Sequence, residues 1–357
     1  MRAIVMQSVG GPEVLELAEV PAPVPKPGQV LIELQARGVN FADTEWRRAR
    51  YRPTPLPWIL GSEGAGVVVE TGAGVDPAWR GRRVAFYAAP PATSGTYADL
   101  ATSPVTALMP LPDGLDFVIA AAIPAQGLTA SLLIHRAARI RAGQIVLIHA
   151  AAGGVGLLAV QLARRIGARV LGTVSSETKA EAVRAAGGEP LLHGHDLVER
   201  VHALTGGHGV DVVLDSIGLP TQRASLAVLA PFGELVHFGD AGGFPAPVDP
   251  EILYERSLKV SAFGLDERHD PIAVDQARRD LVAWAADRSL RFRIDRTLPL
   301  AAAAEAHRLL ESRTTIGKLI LRVRSRARLR RSSCGGQGRA SRRARSSRRA
   351  AQTSTRP

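Results

Sequence analysis

Residues 2–6 and 14–20 carry strand-like apolar runs on either side of Gly10, Gly11 and Pro12, which predicts a short hairpin. A proline-rich link over residues 21–27 follows, and alternation resumes at 29–37. Residues 60–120 are rich in Gly, Pro and Val, with short strand candidates at 66–70 and 83–86. The first third therefore predicts an irregular β-rich unit. The period then changes. Residues 120–140 have helical composition, and 144–150 form a buried-strand candidate. A helix is predicted at 157–166, a strand at 168–174 and a helix at 177–186. A strand at 210–215, a helix at 226–230 and a strand at 234–238 continue the series. Strand and helix in alternation predict an α/β fold with a doubly wound parallel sheet. Past residue 265 the chain turns helical at 273–287 and closes on a strand at 318–323, expected to return to the first unit.

Composition narrows the chemistry. The chain has 357 residues, enough for two cores, and no apolar run near the roughly 18 residues of a membrane span. Met1–Val5 reads as strand rather than as a charged-then-apolar leader, so a soluble, cytoplasmic protein is expected. A single cysteine, Cys334, excludes both a disulfide framework and a cysteine-built zinc site. The net charge of +12 invites a nucleic-acid reading. Residues 325–357, however, contain eleven arginines and no acid, so the rest of the chain carries only +1. That tail lacks hydrophobic periodicity and is expected to be disordered. It reads as a tether to nucleic acid or acidic membrane, as a solvated extension, or as translated sequence past an ancestral stop.

The strongest motif is Ile145-Val146-Leu147-Ile148-His149-Ala150-Ala151-Ala152-Gly153-Gly154-Val155-Gly156. A strand runs into a turn of small residues and then a helix, the context in which a glycine fingerprint has meaning, with Ala151 at the first glycine position. Gly153 lets backbone approach a pyrophosphate, Gly156 lets helix pack on strand, and the free N–H groups at the helix start hold the phosphates. An NAD-preferring site usually places an acid about 20 residues on. Here that window reads Leu171-Gly172-Thr173-Val174-Ser175-Ser176, followed by Glu177 and Lys179. Hydroxyls and a lysine suit a 2′-phosphate, so NADPH is the expected cofactor.

Further motifs carry a family resemblance: Gly38-Val39-Asn40-Phe41-Ala42-Asp43, Gly61-Ser62-Glu63-Gly64-Ala65-Gly66, Ala125-Gln126-Gly127-Leu128-Thr129-Ala130, Asp215-Ser216-Ile217-Gly218 and Leu310-Glu311-Ser312-Arg313. With the glycine turn, these resemble the zinc-independent quinone oxidoreductase (zeta-crystallin-like) branch of the medium-chain dehydrogenase/reductase superfamily, over residues 1–323. The resemblance implies a GroES-like catalytic domain at 1–123, completed by 265–324, a Rossmann NADPH-binding domain at 124–264, and a homodimer. Zinc-dependent members place Cys at the position of Asn40 and His at that of Ser62, so no metal is expected. The resemblance puts Asn40 and Tyr51 beside the nicotinamide, Gln126 and Thr129 beneath it, and Phe238 and Gly239 against its ribose. Ala151, Gly153, Gly154, Val155 and Gly156 form the phosphate turn; Ser175, Lys179 and Arg313 take the adenosine phosphate. Relatives often carry Tyr where this chain reads Leu192-His193-Gly194, and His193 is the candidate donor there.

Without a metal, catalysis rests on orientation, worth about 7–11 kcal/mol in favourable cases. Asn40 is read as a donor to the acceptor oxygen or as a turn residue, and Tyr51 as a proton donor or a lining residue. Arg47 and Arg48 read as solvated surface arginines or as attractors of anionic acceptors, Asp43 as a helix-terminus residue rather than a general base, and His149 as structural. His135, His237 and His307 share no metal-ligand spacing. The expected function is NADPH-dependent reduction of a quinone or similar small electrophile. The alternatives are an enone or enoyl (C=C) reductase and, from another class, a non-catalytic NADPH-binding protein touching RNA through its tail.

Overall fold

The N-terminal hairpin forms where the alternation ends and turn residues begin. In the computed structural model, which describes residues 1–51, 56–89 and 92–322, β1 (Arg2–Met6) pairs antiparallel with β2 (Leu15–Glu19). The long alternating run becomes β3 (Gln29–Val39), and Asn40 then starts the short helix α1 (Phe41–Arg47). Four strands follow: β4 (Trp58–Ile59), β5 (Glu63–Thr71), β6 (Arg83–Tyr87) and β7 (Leu100–Pro104). A short β8 (Leu108–Pro110) leads to α2 (Phe117–Ala120) and α3 (Pro124–Leu132). Residues 120–140 are thus not one helix. Pro124 has no N–H to donate and begins a new one, and a wider π-turn over Leu133–Ala137 ends it.

The alternating half runs β9 (Ile145–Ile148), α4 (Gly154–Ile166), β10 (Arg169–Val174), α5 (Glu177–Ala185), β11 (Glu189–Leu192) and α6 (Leu197–Leu204). It continues through β12 (Val210–Asp215), α7 (Leu219–Ala227), β13 (Leu229–His237), α8 (Pro250–Arg256) and β14 (Lys259–Ala262). The predicted helix at 226–230 is corrected: α7 ends at Ala227, and Leu229 and Ala230 open β13. A short apolar run fits either state. Here Leu229 pairs with Val210, and the register shifts before Val212 pairs with Glu234, across Pro231, which cannot donate to the ladder. The chain closes with α9 (Pro271–Ala286), β15 (Ile294–Pro299), α10 (Ala303–Glu311) and β16 (Lys318–Arg322).

The strands make three sheets. A small one is ordered β2-β1-β4. A seven-stranded sheet is ordered β15-β16-β3-β5-β6-β8, with β7 also on β3. A parallel sheet is ordered β11-β10-β9-β12-β13-β14, and its direction of winding reverses between β9 and β12. Ligands of such sheets lie outside the strand carboxyl ends at that reversal. One apolar core joins the two large sheets: Ala36, Ala65 and Ala85 share it with Leu128, Val146 and Leu281. The last strand is stitched to both, because β16 pairs antiparallel with β3, while Gly317 N–H donates to Ala152 O at 2.9 Å in the glycine turn.

Gly317 has φ +88°, and a Cβ there would meet Arg293 O at 2.3 Å. Gly317→Ala is therefore expected to lower stability by about 2 kcal/mol or more through strain and a displaced β16. Thermal denaturation checks this; an unchanged midpoint refutes the strain argument.

Candidate active site

The phosphate turn sits at the carboxyl end of β9, beside the reversal point. Gly153 is the extended N-cap of α4, and the first-turn N–H groups of Gly154, Val155 and Gly156 have no acceptor within the helix. A Cβ on Gly156 would lie 2.6 Å from Ala150 O, so only glycine permits the tight strand-to-helix passage. A Cβ on Gly154 would fall 1.8 Å from Gln126 Oε1, so the Gln126 side chain lies directly against the helix start. Ala151 is fully buried, and a Cβ on Gly172 would press on it at 2.7 Å. Gln126, Gly154, Leu157, Arg293, Gly317 and Lys318 line one small hollow there. A cradle of free N–H groups with no room for side chains fits a pyrophosphate.

Beneath the turn, His149 is buried, with Nδ1 3.0 Å from Thr173 Oγ1 and Nε2 3.0 Å from Ser225 Oγ. Ser225 and Thr221 both donate to Asp215, which also accepts from the Ile217 and Gly218 N–H groups. Burial pulls the His149 pKa down to about 4, and the Asp215 charge opposes that only in part. His149 is a structural brace for the turn.

The adenosine-side candidates converge. Lys179 Nζ donates to Ser175 Oγ at 3.2 Å and to Arg313 O at 2.5 Å, and Arg313 Nη2 donates to Ala241 O at 3.2 Å. Burial and the neighbouring Arg313 both lower the Lys179 pKa. Neither cation forms an ion pair with a carboxylate among the described residues. Two cations without carboxylate partners beside the Ser175 hydroxyl have the charge and donors that suit a phosphate. His193 follows β11, bonded through its N–H to Val174 O, and its pKa is lowered by burial and by Lys179 and Arg200.

On the opposite side, Asn40 lies where β3, β5 and β16 meet. Its Nδ2 donates to Glu63 Oε1 at 2.7 Å, and its Oδ1 accepts from Lys318 Nζ at 2.6 Å. Lys318 Nζ also contacts Glu63 Oε1, and Glu63 Oε2 accepts from the Ala125 N–H at 2.8 Å, just ahead of Gln126. Glu63 and Lys318 are 0% and 1% exposed. The Asn40 amide is thus clamped at both ends, with one N–H and one lone pair left over. Sequence reading does not single out Glu63 or Lys318. The available signal was a charge of each sign at the first position of two largely apolar strands.

Behind Asn40 runs a second buried chain. The Asn40 N–H donates to Asp43 Oδ2 at 2.8 Å, and Tyr97 OH lies 3.1 Å from both Asp43 Oδ2 and His307 Nε2. Arg47 Nη1 is 2.9 Å from His307 Nδ1, and its Nη2 is 2.5 Å from Glu311 Oε1. Because Arg47 can only donate, His307 carries its proton on Nε2 and donates to Tyr97, which donates to Asp43. Desolvation is the main cause in both titrating groups: it raises the Asp43 pKa to about 6 and lowers that of His307 to about 3. The surface reading of Arg47 is corrected: it is 0% exposed, since α10 packs over it and brings Glu311 and His307. Arg48 is partly exposed but paired with Glu311 at 2.9 Å and Glu45 at 3.7 Å. Neither arginine is free to draw in an anion. Asp43 is a helix-start residue inside this network.

Tyr51 is 44% exposed and stands edge-on to Trp46 at 5.7 Å. Burial and the charges of Asp240, Glu45 and Asp43 raise its pKa to about 12. Asp240 follows Phe238 and Gly239, and Phe238 N–H donates to Asp215 O at 2.9 Å. Asp240, just past the end of β13, is thus near enough to act on Tyr51. Thr129 lies one turn beyond Gln126 on α3, half-buried. Among the described residues no group of three or more His, Cys, Asp or Glu is arranged to hold a metal ion.

Residues 26–113 match the alcohol dehydrogenase GroES-like domain, and residues 154–277 match the zinc-binding dehydrogenase family. The chain is 40% identical over 324 residues to a quinone oxidoreductase of Pseudomonas aeruginosa, covering 90% of this chain and 99% of that protein. It is 36% identical over 334 residues to a 2-haloacrylate reductase of a Burkholderia species, covering 89% and 98%. The Escherichia coli quinone oxidoreductase complexed with NADPH superposes with a TM-score of 0.84 at 34% identity, over 90% of this chain and all of that one.

Two outcomes follow from the buried groups. Lys318→Met leaves Glu63 buried and unpaired and is expected to cost about 3–5 kcal/mol, most of which Glu63→Gln restores in the double variant. Additive losses in denaturant titrations would refute the coupling. His149 and His307 stay neutral in the fold but protonate near pH 6.5 when unfolded, so stability falls as pH drops from 6.5 towards 4. Asp43, with its pKa raised, gains stability as pH falls from 6 to 4 and offsets part of that loss. His307→Gln is expected to flatten the acid slope between pH 6.5 and 4, read from urea midpoints.

Proposed function

The chain belongs to the quinone oxidoreductase branch of the medium-chain dehydrogenase/reductase superfamily, and we propose that it is a zinc-independent, NADPH-dependent reductase of quinones or similar small electrophiles. The observation that carries this is the tight glycine turn at the sheet's reversal point, set against the clamped Asn40. The division into a catalytic unit at 1–123 with 265–324 and a cofactor unit at 124–264 belongs to the same proposal. So do the homodimer, which the unpaired outer edge of β14 supports, and a cytoplasmic setting. No helix among the described residues is long and apolar enough to cross a membrane.

Bound NADPH supplies a hydride equivalent. The residues proposed to hold it are Ala151 and Gly153–Gly156 at the pyrophosphate, with Ser175, Lys179, His193 and Arg313 at the 2′-phosphate. Gln126, Thr129, Phe238 and Gly239 are proposed to line the nicotinamide end, with Asn40 and Tyr51 facing the acceptor. Lys318 places an ammonium beside Asn40, where a divalent metal would meet a fixed like charge, and this supports a metal-free mechanism. Asn40 retains one amide N–H for the acceptor, and its clamp fixes the direction of that N–H. Tyr51 keeps its proton at neutral pH and acts as a hydrogen-bond donor that closes the gap. The similarity to a 2-haloacrylate reductase supports a second reading, reduction of an activated C=C bond.

Steady-state assays of quinones and enones with NADPH and NADH test the proposal. Lys179→Ala is expected to weaken NADPH about tenfold while leaving NADH nearly unchanged, from the loss of one charge-assisted contact. Absence of any fluorescence or calorimetric response to either nucleotide overturns the redox assignment. Efficient enone turnover beside inert quinones selects the second reading.

A further inference from the structure

Tyr87 ends β6 directly opposite Glu63 in the antiparallel register, so the two side chains stand on one face of the sheet. Glu63 is the residue that clamps Asn40. The Tyr87 ring packs against the core shared by the two large sheets. Its hydroxyl has no hydrogen-bond partner among the described residues, yet it is not among the sealed, unpartnered polar groups. It is therefore not sealed from solvent. Burial, with Glu267, Glu63, Asp43 and Tyr51 around it, holds the phenol well above its ordinary pKa. Tyr51 and Tyr87 are thus both un-ionised phenols, each with carboxylates acting on it.

The charge around them that has no ion-pair partner among the described residues, on Asp43 and Asp240, is carboxylate. Asp43, Asp240, Glu45 and Glu267 act on one or both phenols, and Glu267 is held at 2.6 Å from Arg278. Arg47 and Arg48 are committed to Glu311 and Glu45. No cation is left to compensate an incoming carboxylate at this wall among the described residues. A buried, unpaired carboxylate is costly, whereas a neutral carbonyl gains from a waiting donor.

We propose that Tyr87 is a specificity-determining residue whose hydroxyl donates a hydrogen bond to a carbonyl oxygen of an uncharged acceptor, in a gap that disfavours carboxylate-bearing ones. This rests on the reductase reading and names the acceptor class within it. Tyr87 keeps its proton throughout; when a quinone is reduced, the two electrons and one hydrogen come as hydride from NADPH, and the second hydrogen comes as a proton from water.

Tyr87→Phe tests this, because it keeps the ring and removes only the donor. The first readout is binding, without turnover, of 4-dimethylaminobenzaldehyde, a neutral chromophore whose absorption moves to longer wavelength when its carbonyl accepts a hydrogen bond. The variant is expected to bind it about tenfold more weakly and to lose the shift, with NADPH affinity unchanged. The second is kcat/KM for 1,4-benzoquinone, expected to fall about tenfold in the variant, and for 2-chloroacrylate, expected to be the poorer substrate of the unaltered protein. Unchanged aldehyde binding overturns the assignment, as does an unchanged quinone rate in an enzyme that turns quinones over, or preference for 2-chloroacrylate. If the unaltered protein reduces neither quinones nor enones, the reductase reading fails, and the aldehyde still decides the role of Tyr87.

Discussion

A carboxylate and an ammonium removed from water must find each other or leave the fold, and the contact between Glu63 and Lys318 meets that requirement. Its geometry has wide reach. Glu63 begins β5, Lys318 begins β16, Asn40 precedes α1, and Ala125 lies at the start of α3. All four meet on two oxygens and one nitrogen. Gly38 is glycine for the same reason: a Cβ there would press on Glu63 Oε1 and on Lys318 Cε. The pair costs desolvation but leaves few alternatives for how the last strand seats, so it specifies geometry more than it adds stability.

The distribution of charge follows from this arrangement. Lys179 and Arg313 have no carboxylate partner among the described residues, whereas Arg47 and Arg48 are engaged with Glu311 and Glu45. Under the proposed function, a dianionic 2′-phosphate and a neutral carbonyl would be sorted by these fixed charges.

Much of the fold was legible because period and punctuation agree. β9 and the glycine turn stand out since a strand buried on both faces must be apolar and the passage to α4 leaves no room for side chains. The start of β13 was misread because Leu229 and Ala230 carry no periodicity of their own and are held by pairing with β12. Ser175 and Lys179 were read together from their spacing past the glycine turn, Arg313 joined them only by family resemblance, and the structure gives the contact that unites all three. Arg47 looked like a surface residue because nothing local announces α10, some 260 positions later in the chain. Lys318 and Tyr87 escaped for the same reason: their importance lies in partners distant in sequence.

That distance also bears on how the protein is made. Lys318 is 255 residues from Glu63, and its strand inserts between β15 and β3. On the ribosome, the seven-stranded sheet must wait with an open slot and a stranded carboxylate until almost the whole chain has emerged. The parallel sheet has all of its strands much earlier and can mature first. Premature termination anywhere before residue 318 therefore harms the part synthesised first, leaving the N-terminal sheet as the species exposed to chaperones and proteases.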